Sequence, residues 1–169
     1  MIDALYPYWT FTPFQALVSP ILACAVFMLK SIGIPASMVF LSKLASPPFI
    51  VIGSQGKPIL TAVAWPCAGI DSLLVFAIMF PIVMTKLNMS NLRKLTCFIV
   101  GLIGTFFVSV LRVTFYFIVL TNQGSSQALI FHNLYSEVFF YAWFILYLLL
   151  IFLIERKRKV WNSPTKKFF

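Results

Sequence analysis

The stretch Leu95–Ile118, LTCFIVGLIGTFFVSVLRVTFYFI, carries a single charge, on Arg112. As an α-helix rising about 1.5 Å per residue, such a run is long enough to cross the roughly 30 Å hydrocarbon core of a bilayer. Composition agrees with this reading. Apolar residues make up 61% of the 169, charged residues only 10%, and the mean hydropathy is +0.97. These values lie outside the range of soluble domains. The chain reads as an integral membrane protein.

Three further apolar runs, 12–29, 67–85 and 134–154, have the same character. Pro13 and Pro20 in the first are distortions that neighbouring helices tolerate. The expected fold class is all-α, a polytopic transmembrane helix bundle of about four spans, with five as the alternative. No soluble segment is long enough to bury a core of its own, so 1–169 reads as a single membrane domain.

The open question lies between residues 30 and 66. Ile32–Ala45 is apolar, but Lys43 interrupts it and Pro47-Pro48 close it. It reads as an interfacial or re-entrant helix on the outer face. Phe49–Ile52 and Ile59–Ala64 are β-type runs around Gly53-Ser54-Gln55-Gly56, the pattern of a short hairpin. A fifth full span in this segment would place the N-terminus outside.

The net charge is +9, and nine of the thirteen basic residues cluster at Lys86, Arg93, Lys94, Arg156–Lys159, Lys166 and Lys167. Both clusters flank apolar runs, as expected of cytoplasmic loops and tails. That distribution argues against nucleic acid as a partner and makes 155–169 a basic cytoplasmic tail. With four spans, both termini are cytoplasmic. Met1–Thr12 lacks a basic region and a small-residue cleavage pattern, so no secretory signal is expected.

The chemistry concentrates in three residues. Cys67 stands in Trp65-Pro66-Cys67-Ala68-Gly69-Ile70, His132 is the single histidine, and Arg112 lies within apolar sequence. Each is costly in hydrocarbon unless the three meet. Topology brings them to one depth. Cys67 opens a helix that runs inward, and Arg112 lies about 25 Å along its helix from Leu95. His132 precedes the fourth helix at its outer end, and Thr121–Gln127 is a polar loop beside them that could form a rim.

A helix N-terminus after Pro66 favours the thiolate of Cys67. Cys24 and Cys97 read as packing residues, and an odd cysteine total argues against a disulfide framework. Asp71 and Glu137 are membrane-proximal acids with two readings. Either could orient His132 or pair with Arg112; alternatively Asp71 merely satisfies its helix N-terminus.

At these positions the sequence resembles the exosortase/archaeosortase family of membrane cysteine transpeptidases, as a short member. The matching elements are Cys67-Ala68-Gly69-Ile70, Arg112 in Ser109-Val110-Leu111-Arg112, and His132 in Phe131-His132-Asn133. Ile32-Gly33-Ile34-Pro35 and Gly56-Lys57-Pro58-Ile59 match the approach to the cysteine, and the resemblance covers a catalytic core of about 28–153. Ser109 departs from an asparagine common in the family, and no glycine follows His132 in Tyr135-Ser136-Glu137.

The resemblance implies a protease and transpeptidase that cuts the C-terminal sorting signal of an exported protein through a Cys67 thioester. It implies His132 as the base, Arg112 as the stabilising cation, and transfer to a membrane lipid or other acceptor. The implied location is the cell membrane, multi-pass, with the active site on the extracytoplasmic side. No cofactor or metal is expected. The competing reading is a non-catalytic small membrane subunit of a larger complex. A transporter is the weaker third reading, since nothing suggests paired repeats or a midplane ion site.

Overall fold

The computed structural model describes residues 12–39, 49–54, 57–87 and 89–161. In chain order these form α1 (Thr12–Ser31), β1 (Ala36–Val39), β2 (Phe49–Ser54), β3 (Lys57–Ala62), α2 (Ile70–Thr85), α3 (Asn91–Gln123) and α4 (Ser125–Trp161). Each of the four expected apolar runs lies largely within a helix, although α2 starts three residues after Cys67 and α4 starts nine residues before 134. Two helices, α3 and the α4 segment Ser125–Arg158, are long and apolar enough to cross a membrane on length and composition alone.

α1 stops for a local reason. Gly33 sits at φ 88°, in the left-handed region that favours glycine. Its N–H donates to Lys30 O, and the Ile34 N–H donates to Leu29 O. This pair of bonds is a Schellman cap, and Pro35 just beyond it cannot continue the helix.

The chain after Pro35 is a strand, which corrects two expectations. The class is not purely helical, because β1, β2 and β3 form an antiparallel sheet in the order β1-β2-β3. The expected interfacial helix over 32–45 is also wrong where it can be described. Ala36–Val39 pair with Phe49–Ile52 as strands, with Ala36↔Ile52 and Val39↔Phe49 in register. The Schellman cap and Pro35 leave extended chain, and β2 supplies an edge to receive it. The rest of that expected helix, 40–48, lies outside the described residues. The expected hairpin is present, paired from Phe49↔Ala62 to Ser54↔Lys57.

α3 and α4 form an antiparallel pair about Gly124, whose φ of 87° permits the reversal. The indole of Trp143 donates to the Thr105 hydroxyl at 3.2 Å, and the Tyr147 hydroxyl donates to the Cys97 carbonyl at 2.6 Å. Small residues on α3 admit these rings: a Cβ on Gly104 would stand 2.1 Å from the Trp143 ring.

The core has two parts. At the sheet end, Ile21, Leu22 and Leu29 of α1 pack with Ile50, Ile52, Trp65, Ile70, Val110 and Phe117. At the far end, Phe76, Phe80, Phe140, Met84 and Tyr147 form an aromatic cluster, joined by the half-buried Cys97.

Candidate active site

Cys67 lies on a turn between β3 and α2. The turn is tied by the Ala68 N–H to Ala64 O at 3.0 Å, the Gly69 N–H to Pro66 O at 3.1 Å and the Ile70 N–H to Trp65 O at 3.2 Å. Trp65 anchors its start, buried against Phe14 with ring centroids 5.2 Å apart. Ala68 and Ile70 are fully buried on either side of Gly69. Gly69 is required twice over: its φ is +84°, and a Cβ there would meet the Ser109 hydroxyl oxygen at 2.7 Å. The Cys67-Ala68-Gly69-Ile70 run therefore has a steric meaning at each position after the cysteine.

α3 supplies the next side of the site. Thr105, Ser109 and Arg112 are buried and recur at intervals of four and three residues, so they share one helix face. The Ser109 hydroxyl bonds Thr105 O at 3.0 Å and Gly69 O at 3.4 Å. Arg112 is only 5% exposed, and its Nη2 donates to Pro66 O at 2.7 Å and Cys67 O at 3.3 Å. The guanidinium thus holds the two carbonyls that flank the cysteine's own amide.

α4 supplies the histidine. The Sγ of Cys67 stands 3.7 Å from Nε2 of His132. The Tyr116 ring, one helical turn beyond Arg112, meets the His132 ring edge-on with centroids 5.8 Å apart. The three residues singled out from the sequence therefore converge. They line one cavity of about 60 Å³, together with Thr61, Ala62 and Tyr116. That volume holds a few water molecules.

Two details correct the expectations. No polar loop separates α3 from α4: Gly124 alone joins them, and His132 lies on the second turn of α4, not before it. The cysteine also lies on a buried turn ahead of α2 and not in its first helical turn. Burial pushes the Cys67 thiol up, and the opposing pull of the Arg112 charge is smaller. Burial therefore favours the neutral thiol over the thiolate at Cys67.

The acids and other cysteines are simply placed. Asp71 Oδ1 accepts the Ser72 N–H at 2.9 Å, satisfying the start of α2, and Asp71 is exposed. Glu137 is exposed on α4. Cys24 packs against the sheet-end core and Cys97 against the aromatic cluster, and both are free thiols. Sequence reading missed Tyr116 and the β3 residues. Tyr116 had a signal, since it lies four residues after Arg112 on the same face. Thr61 and Ala62 had none, because strand pairing alone brings them to the cavity.

A largely helical membrane chain with a thiol, an imidazole and a guanidinium in one buried pocket defines a membrane protein with a cysteine-centred site. The family model for transmembrane exosortases (Exosortase_EpsH) matches residues 4–152, and the chain belongs to the exosortase family. Comparisons with curated proteins and with solved structures gave no match.

Proposed function

We propose that this chain is a sorting transpeptidase whose nucleophile is Cys67. The observation that carries the reading is the 3.7 Å approach of Cys67 Sγ to His132 Nε2 inside a cavity that Arg112 also lines. His132 Nε2 takes the thiol proton as the sulfur attacks a peptide carbonyl of the substrate. The tetrahedral intermediate collapses, the C–N bond breaks, and His132 returns the proton to the departing amine. A thioester to Cys67 remains. An acceptor amine, or water, then attacks the thioester, loses its proton to His132 and releases the sulfur.

Arg112 acts in two ways. Its bonds to Pro66 O and Cys67 O fix the turn that aims the sulfur. Its charge, on a guanidinium only 5% exposed, lies beside the reacting atoms, where it favours both the thiolate and the oxyanion.

The substrate is an exported protein with a C-terminal signal made of a short motif, an apolar helix and a basic tail. A membrane lipid or another amine-bearing molecule is the acceptor. The whole chain forms one membrane domain with a catalytic core over about 28–153, and α1 to α4 serve as four spans. The 86–94 loop and the 155–169 tail are cytoplasmic by their positive charge, which sets the cysteine end on the extracytoplasmic side. A non-catalytic subunit would give no reason for Cys67 and His132 to meet.

The test is co-expression with an exported protein carrying such a tail, with the released C-terminal fragment measured by mass spectrometry. Cys67→Ala should abolish release while membrane insertion is unchanged. Release that persists in the variant would remove the transpeptidase reading.

A further inference from the structure

β3 ends the sheet order β1-β2-β3, and no described strand pairs with its outer edge. The backbone groups that this edge presents follow from one hydrogen bond. The Gly53 N–H donates to Pro35 O at 2.9 Å, on the β1 side of β2. Gly53 faces Pro58 across the β2–β3 ladder. In an antiparallel ladder a residue whose N–H points away from its neighbour belongs to a non-hydrogen-bonded pair. Pro58 therefore turns its backbone outward, where a missing N–H costs the sheet nothing. The alternation repeats every second residue, so Leu60 and Ala62 turn their N–H and C=O groups to the same outer edge.

That edge leads to the nucleophile. Thr61 and Ala62 line the cavity beside Cys67 and His132, and Leu129 and His132 of α4 line it as well. Leu60, one step earlier, is 54% exposed. A row of outward amide groups thus runs along β3 into the reactive pocket.

We propose that the outer edge of β3 is the template for the substrate: the residues upstream of the scissile bond add to it as an extended fourth strand. This deepens the transpeptidase reading and rests on it. Backbone pairing supplies affinity and register whatever the side chains, as suits a signal presented in extended form just before a helix. The upstream segment must end at Cys67, and β3 itself runs toward Cys67, so the added strand is parallel. Pairing with Leu60 and Ala62 delivers the next carbonyl to the sulfur. A second copy pairing through the same edge would instead obstruct the way to Cys67.

Leu60→Pro tests this directly. It removes an outward N–H, as Pro58 already does, and leaves the β2–β3 ladder bonds in place. Cleavage of the co-expressed tailed protein should fall about tenfold or more, the effect of one unmade backbone hydrogen bond, and further than in Leu60→Ala, which keeps the N–H. Alkylation of Cys67 should be unchanged in both, showing that the fold survives. If Leu60→Pro loses alkylation as well, the parent chain is given synthetic peptides copying the tail's motif, N-methylated at one upstream amide at a time. Cleavage should then fail at alternate positions only. Normal cleavage by Leu60→Pro, indifference to every methylation, or a dimer that separates on Leu60→Pro with cleavage unaltered would overturn the edge template alone. Cleavage that survives Cys67→Ala would instead overturn the transpeptidase reading beneath it.

Discussion

Arg112 Nη2 lies 2.7 Å from the carbonyl oxygen of Pro66, so a charge buried on α3 holds the turn that carries Cys67. The same nitrogen reaches Cys67 O at 3.3 Å. A planar guanidinium holds neighbouring carbonyls with donors fixed in one plane, whereas an ammonium is a single point of charge. Arg112→Lys should therefore lower sorting-signal cleavage by roughly 100-fold, the scale for losing one oriented donor. Cleavage rates on the tailed substrate measure this, and activity near that of the parent would reduce Arg112 to a generic cation.

Gly69 and Ser109 give a steric prediction. Gly69→Ala places a Cβ 2.7 Å from the Ser109 hydroxyl oxygen at a φ of +84°. The strain should cost about 1–3 kcal/mol and displace the cysteine turn. Thermal unfolding in detergent should show a lower midpoint and cleavage should drop. The double variant Gly69→Ala with Ser109→Gly should recover part of the loss, since only the backbone strain remains. No recovery would mean that the contact is unimportant.

The pH dependence follows from the burial of the thiol. Burial raises the Cys67 pKa above that of an ordinary thiol, with Arg112 opposing. The thiolate fraction, and with it the rate of alkylation by a small thiol reagent, should stay low near neutral pH. It should climb only above the ordinary thiol range. Arg112→Gln removes the charge that lowers the pKa, so its alkylation midpoint should move to still higher pH. A midpoint below neutrality in the parent would restore the helix-dipole thiolate and dispense with a base.

His132 and the spare cysteines separate catalysis from packing. His132→Ala should cost roughly 100- to 10,000-fold in cleavage, as for a lost general base. Cys24→Ala and Cys97→Ala should stay within a few-fold of the parent, because neither thiol lines the cavity. Cleavage assays on the four variants, Cys67→Ala included, decide this; equal loss from all three cysteines would point to packing.

Sidedness is tested with reporter fusions. Fusions in the 86–94 loop and after Ile154 should report cytoplasm, and a fusion within the β2–β3 hairpin should report the exterior. A cytoplasmic hairpin would place Cys67 on the wrong face for an exported substrate.

Much of this was legible in the sequence because it depends on local composition. Uninterrupted apolar runs must be helical in lipid, where each backbone amide needs a partner within its own segment. The positions of Cys67, Arg112 and His132 relative to those runs were enough to bring all three to one end of the helices through helical rise alone, and there they line one cavity. The segment after α1 was illegible for the opposite reason. Ala36–Val39 has no intrinsic demand to be a strand; it becomes one because the Gly33 cap turns the chain toward β2, whose partner is decided in space.

The site divides the same way. Which three groups meet was a matter of residue type: a thiol, an imidazole and a guanidinium are too costly in an apolar chain to be scattered. The geometry of their meeting was not. The 3.7 Å gap to His132, the hold of Arg112 on Pro66 O and the fit of Gly69 against Ser109 each join residues 40 or more positions apart. The burial that raises the thiol's pKa depends on the same packing. Contacts of that kind depend on how helices and sheet pack, and only the tertiary structure decides packing.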